Sequence, residues 1–310
     1  MAVNRQDYSA SNKYETMVVA YQEALTNSWK PQFEKFCELS NDNVAAKRIY
    51  NDLGVGQIPT HNTTSITEAV HGAAHVSASI TPTAYSKKLV YSEIEERRDP
   101  GLMMRGAEQL MAGALRTFEK TVFTELLNGG NGTTTVPTGA SGAAINVFSD
   151  DHAYGTSGTS TQSNLGSAAL SHTSLNAARI ALRKWYSADG EPMELDAGPL
   201  ALIVPPELGD TARRLTGSRE FAQTTITSGA EINPQFDRQF TVVESAYLTD
   251  NNNWYLVATD HTPINLWIPT APTIKIIQDV ANRNWVVSVL FEMAVYYRPP
   301  VSGIYGSIVS

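Results

Sequence analysis

Apolar residues recur at steps of three and four from Met103 to Leu126, with Met103, Ala107, Leu110, Ala114, Phe118, Val122 and Leu126 on one face. This spacing predicts a helix over 101–128, begun at Asp99-Pro100 and stopped by Asn128-Gly129-Gly130. At about 1.5 Å per residue it would be roughly 40 Å long, enough to serve as a backbone for the fold. A second helical pattern covers 14–29 through Tyr14, Val18, Tyr21, Leu25 and Trp29, and Pro31 interrupts it. Phe33, Phe36 and Leu39 form a short apolar cluster after that proline. A third helix is expected over 173–186, with Leu175, Ala178, Leu182 and Trp185 on one side.

Strand signals crowd the second half. LALIV at 200–204 reads as a short buried strand ended by Pro205-Pro206, and Pro206 can open a helix carrying Leu208, Ala212 and Leu215. Further strands are expected over 240–245, 253–259, 265–269, 273–280 and 284–298. In the last of these the alternation on Val286, Ser288, Leu290 and Glu292 is imperfect. Tyr85–Arg98 mixes β-branched, aromatic and charged residues and suits either strand or helix; it is taken as strand up to Ile94. Helices early and strands late predict an α+β protein, not an alternating doubly wound sheet, and no repeat of fixed period is present.

Charge changes this picture. Only 17% of the 310 residues are charged, against about 25% in an average soluble protein, and they are missing in blocks. Between Gly54 and Ser86 the only charged side chain is Glu68, and between Leu126 and Ala178 only Asp150 and Asp151 are charged. Both blocks are rich in Thr, Ser, Gly and Ala. They read either as flexible surface loops or as extended arms lying against other subunits, where a charge would cost desolvation. The net charge of -8 disfavours a strongly basic nucleic-acid-binding domain. Cys37 is the only cysteine and excludes an internal disulfide. No secretory signal and no apolar run of about 18 residues is seen, so a soluble protein made in the cytosol is expected.

Candidate chemistry is sparse. Glu68, His71 and His75 would share a face and could bind a metal on a helix, but the surrounding Thr, Ser and Gly favour an extended arm. Asp150-Asp151-His152 sets two carboxylates beside an imidazole, yet neighbours in an extended chain point opposite ways. Cys37 sits among apolar residues and reads as core. Arg97-Arg98, Arg213-Arg214 and Lys87-Lys88 read as intersubunit ion pairs or solvated faces, and Trp254, Trp267 and Trp285 as core. No nucleophile elbow, dinucleotide fingerprint or phosphate loop occurs, so no catalytic, cofactor-binding or metal-binding residue is assigned.

Several short segments, in order, resemble the major head subunit family of Mu-like bacteriophages and prophages. They begin with Ile49-Tyr50-Asn51-Asp52-Leu53-Gly54 before Ile58-Pro59. Tyr85-Ser86-Lys87-Lys88 follows, leading through Ile94 to Gly101 into the long helix. Next come Val147-Phe148-Ser149-Asp150-Asp151-His152, Ser163-Asn164-Leu165, Asp189-Gly190, Leu202 to Leu208 with Ala212 and Leu215, and Trp254-Tyr255-Leu256. The step before the long helix reads Glu-Glu-Arg-Arg-Asp, more basic than the family pattern.

The resemblance implies an HK97-like capsid fold. It places an N-terminal arm at 1–55, an extended loop at 56–100, a spine helix and peripheral domain at 101–170, an axial domain at 171–270, and return strands of the peripheral domain at 271–310. It implies a structural major capsid protein of a tailed phage, not an enzyme, made in the host cytoplasm and built into the virion capsid. Hexamers and pentamers would close an icosahedral shell around double-stranded DNA contacted non-specifically. The implied partners are other copies of the chain, a scaffolding protein, a portal protein and a decoration protein, with no membrane and no cofactor. The chain lacks the long charged coiled coil that serves some relatives as a fused scaffold, which points to a separate scaffolding protein or a processed N-terminus. A soluble enzyme or small-molecule-binding protein with long loop lids is the alternative; a β-rich adhesion protein is disfavoured by the lack of an export signal.

Overall fold

In the computed structural model the described residues are 31–51, 76–99, 101–132, 134–136, 143–154, 160–187, 190–221, 231–233, 235–236, 238–279, 282–299 and 301–309. The helix expected over 14–29 lies outside them. A short 3-10 turn over Gln32–Lys35 precedes β1 (Glu38–Ser40), β2 (Lys47–Asn51), β3 (Val76–Ile80) and β4 (Thr83–Ser92). Helices α1 (Glu93–Arg98) and α2 (Leu102–Gly130) follow, then the short strands β5 (Thr135–Val136), β6 (Ile145–Asn146), β7 (His152–Tyr154), β8 (Ser160–Gln162) and β9 (Leu165–Gly166). Next come α3 (His172–Arg183), β10 (Leu200–Val204), α4 (Gly209–Gly217), β11 (Glu220–Phe221), β12 (Glu231–Ile232), β13 (Phe240–Glu244) and β14 (Trp254–Ala258). The chain ends with β15 (Ile264–Asp279), β16 (Asn284–Tyr297) and β17 (Ile304–Ser307). Among the described residues no helix is long and apolar enough to cross a membrane.

The seven apolar positions that predict the long helix are all buried on α2. The helix runs two residues past Asn128, and Gly129 and Gly130 in its last turn pass closely under other side chains. A β-carbon at Gly129 would lie 3.1 Å from the Tyr297 hydroxyl, and one at Gly130 would lie 2.8 Å from the Tyr255 hydroxyl. The stop comes at Gly132, whose φ of 70° is the left-handed conformation that ends a helix. At the other end Glu96 accepts hydrogen bonds from the amides of Gly101 and Met103, both at 3.4 Å. The strand expected to reach Ile94 stops at Ser92 instead. Ser92 and Glu95 form a capping box: the Ser92 hydroxyl accepts from the Glu95 amide (3.2 Å), and the Glu95 carboxylate accepts from the Ser92 amide (2.8 Å).

Four strands in the order β1-β15-β16-β4 form one sheet packed on α2. The inward row of β16 is Val287, Val289, Phe291 and Met293, the phase opposite to the imperfect row Val286–Glu292. Two predicted strands, 265–269 and 273–280, are one strand, β15. Its register slips between Trp267 and Thr270 and again between Thr270 and Thr273, where Pro269 and Pro272 have no amide to donate. Leu39, expected in the first apolar cluster, is exposed on β1, while Phe33, Phe36 and Cys37 are buried.

The second sheet, in the order β13-β10-β14-β17-β9, lies between two apolar layers. Leu200, Leu202 and Val204 of β10 face Leu175, Leu182 and Ala212 of α3 and α4. Ala201 and Ile203 face the core shared with α2, which is why every residue of β10 is buried. Helix α3 ends at Arg183, short of the expected 186, and Trp185 is buried just beyond it. The C-terminal strand pairs Val257 with Ile304 and Trp254 with Ser307. Residues 304–307 thus belong to this five-stranded sheet.

Gly303 prepares that pairing. Its φ is 84°, and a β-carbon there would collide with the carbonyl of His261. Gly303→Ala should lose about 1–3 kcal/mol of stability through backbone strain, read as a lower unfolding midpoint. An unchanged midpoint would show that the turn relaxes freely.

Candidate functional site

A cavity of about 510 Å³ opens between the 3-10 turn and the turns at 259–263 and 298–302. It brings Cys37, Asp260 and His261 to one wall although they are distant in sequence. The trio does not make a nucleophile. Burial pushes the Cys37 thiol far above its ordinary range, and its hydrogen bond goes to the Glu38 carbonyl at 3.6 Å. At the mouth Arg298 holds Glu38 at 2.8 Å and the Asn265 side-chain oxygen at 3.2 Å, tying β1 to the end of β15.

The remaining candidates scatter. Glu68, His71 and His75 lie outside the described residues, among which no group of three His, Cys, Asp or Glu side chains is placed to hold a metal. Asp150 and Asp151 are exposed while His152 is buried. The His152 Nε2 lies 3.0 Å from the Val147 carbonyl and 3.1 Å from the Asn164 side-chain oxygen, so Nε2 carries the proton and joins three loop segments. Arg97 pairs with Glu93 within α1, and Arg213 pairs with Glu244 at 2.8 Å. Trp254 and Trp267 are fully buried, and Trp285 is partly buried against the core of the four-stranded sheet and α2.

Burial lowers the pKa of His152 below its ordinary value. Above the unfolded pKa of about 6.5 both states are neutral and nothing is lost. As pH falls below that value the unfolded chain takes up the proton first, so stability declines until the folded value is passed. Unfolding midpoints measured from pH 7 to pH 5 should fall less steeply in His152→Gln than in the native chain, the difference reaching at most about 1.4 kcal/mol per pH unit. Parallel slopes would count against this assignment.

The surfaces left open are of another kind. On the outer face of the four-stranded sheet, Ile277, Val286 and Val90 form a continuous cross-strand row, and Leu290 lies between Thr273 and Ser86. Ile277 is 58% exposed, Val90 52% and Leu290 49%. Between them Ser288 lies beside Lys275 and Lys88, so the outer face alternates apolar and polar rows. On the opposite face a groove of about 300 Å³ runs between α2 and the sheet, lined by Gly113, Ala114 and Thr117 of the helix and by Tyr85 and Phe291 of the sheet.

The long helix packs under one sheet and abuts a second. The fold is HK97-like. The chain is similar to the capsid of a native GTA particle (TM-score 0.57, 9% identity, 91% of each chain covered). It is likewise similar to a virus-like particle from Pyrococcus furiosus (TM-score 0.51, 11% identity, 96% of this chain and 99% of that chain). The capsid of the myovirus XM1 gives a TM-score of 0.51 at 12% identity, with 89% of this chain and 90% of that chain covered. No curated protein matches the chain by sequence. Residues 76–299 match the family described as phage capsid protein, and the chain belongs to that family. It is a structural major capsid protein of the virion shell.

Proposed function

We propose that this chain is the major head subunit of a Mu-like tailed phage, made in the host cytoplasm and closing an icosahedral shell of hexamers and pentamers around double-stranded DNA. The family match carries this reading, supported by the ordered short motifs from Ile49 to Leu256. The proposed division is an arm at 1–55, an extended loop at 56–100, a spine and peripheral region at 101–170, an axial region at 171–270 and return strands from 271, with residues 304–307 rejoining the five-stranded sheet. The charge-poor stretch 54–86 falls on the proposed loop, where lying against a neighbour would leave few charges to desolvate. An acidic net charge of -8 suits a lumen that holds DNA without gripping it. A separate scaffolding protein, a portal and a decoration protein complete the proposed assembly, and no catalytic role is assigned.

Purified protein viewed by negative-stain electron microscopy, with size-exclusion chromatography alongside, tests the reading. Rings, tubes or closed shells are expected. A monomer or dimer that stays small when its scaffolding protein is added would overturn it.

A further inference from the structure

Asp196 is buried at 2% exposure, and three guanidinium groups converge on it. Arg179 Nη2 reaches Oδ2 at 3.1 Å, Arg183 Nε reaches Oδ1 at 2.7 Å, and Arg238 Nη1 reaches Oδ2 at 3.5 Å. Three cations against one anion leave a surplus of two positive charges among the described residues. The surplus is not quenched by hydrogen bonds within the cluster. Arg179 Nε and Gln235 Nε2 are buried and find no acceptor among the described residues, although Arg179 Nη1 donates to Gln235 Oε1 at 2.9 Å. Arg183 meets Asp196 through Nε, which leaves both of its terminal nitrogens for another acceptor, and its side chain is 51% exposed. Burial and the charges of Arg179 and Arg183 push the Arg238 guanidinium below its ordinary value, the mark of a site short of anions.

The surface beside this cluster is unusual for a solvated helix. The exposed positions of α3 are Thr173, Ala177 and Ile180, with no charge before Arg183 and Lys184 at its end. Ile180 is 44% exposed. A small, apolar ridge ending in cations fits a protein surface that brings one apolar contact and one acid. It fits a phosphate backbone poorly, because Ala177 and Ile180 offer a phosphate nothing. This chain itself supplies the complementary charge, with 31 acidic residues against 23 basic ones.

We infer that Arg183 and Arg238, the exposed members of this cluster, receive a carboxylate from a second copy of this chain, which places α3 in a contact between neighbouring subunits. This rests on the reading of the chain as a shell-forming subunit. The incoming carboxylate takes the open fork of Arg183 in the two-pronged geometry that guanidinium groups favour, with Arg238 beside it. Asp196 is then the internal anchor that holds the forks in place.

The test compares the native chain with Arg183→Gln, Arg183→Lys and Arg183→Gln/Arg238→Gln, following assembly by light scattering and electron microscopy over a range of sodium chloride concentrations. Both arginines reach the surface, so the variants should fold, and circular dichroism of the unassembled subunit checks this. The double variant is expected to lose assembly on the order of tenfold or more, with a weaker salt dependence than the native chain. Arg183→Lys keeps the charge without the fork and should fall between the two. Native assembly matched by the double variant would overturn the inference and leave the shell-forming reading intact. A native chain that forms no ring or shell with its scaffold would overturn the shell-forming reading itself. Two further results would also overturn the inference. One is a rise in the thermal midpoint of the native unassembled subunit on adding inorganic phosphate at constant ionic strength, absent in the double variant, which would make the occupant a free anion. The other concerns Asp237, which lies outside the described residues: a stability loss in Asp237→Asn equal to that in Arg238→Gln would make Asp237 the missing counter-ion.

Discussion

Phe118→Ala is expected to cost the unassembled subunit about 3–5 kcal/mol of unfolding free energy. Phe118 sits midway along α2, 2% exposed, with its ring edge-on to Phe291 at 5.0 Å between centroids. Phe291 in turn stacks on Tyr85 at 5.3 Å, so one ring from the helix and two from the sheet make a single aromatic contact. Removing the Phe118 ring loses its own transfer free energy and leaves a cavity that two strands paired by backbone hydrogen bonds cannot close. Phe118→Leu should cost less, because much of the volume stays filled. Urea unfolding of the purified subunit reads both values, and Leu290→Ser, on the exposed face of β16, serves as a control expected within about 0.5 kcal/mol of the native chain. A loss below about 1 kcal/mol for Phe118→Ala would mean that the helix is not clamped to the sheet at this point.

That clamp was legible in the sequence because two periodicities agree on it. The steps of three and four along α2 name its buried face, and no other element of the chain sustains such a pattern for so long. Strand β16 was legible as a strand but not in its phase. On the outer face Val286 and Leu290 alternate with Ser288 and Glu292, while Val287, Val289, Phe291 and Met293 form the row that packs against α2. The capping box at Ser92 and Glu95 was also written in the sequence, as Ser followed three residues later by Glu, and it marks the strand's end better than the β-branched residues beyond it. In contrast, the meeting of Cys37 with Asp260 and His261, and of Arg179, Arg183 and Arg238 at Asp196, depends on tertiary packing between distant segments. No local pattern announces such meetings. Short ordered motifs pointed to a phage head subunit instead, and the match over residues 76–299 shows the phage capsid family.

Asp196→Asn is expected to be the most damaging polar substitution in the five-stranded half of the molecule. Breaking a buried ion pair by removing one partner costs about 3–5 kcal/mol, because the other charge is left without water or a counter-ion. The three arginines will not suffer equally. Arg183 and Arg238 have side chains 51% and 34% exposed and can swing toward solvent, whereas Arg179 is 7% exposed and cannot. The penalty should therefore reside mainly at Arg179, and Asp196→Asn/Arg179→Met should recover much of what Asp196→Asn loses, despite having one more substitution. The methionine keeps an unbranched apolar stem of similar reach while removing the stranded charge. Unfolding free energies of the two single variants and the double variant close a thermodynamic cycle. If the two single losses add within about 0.5 kcal/mol, the groups are uncoupled and the cluster is held together by packing alone. A strongly non-additive cycle, little changed by salt, would show a charge network whose inner pair is sealed from solvent while its two outer arginines remain accessible. The outer arginines are the ones that a neighbouring subunit can reach.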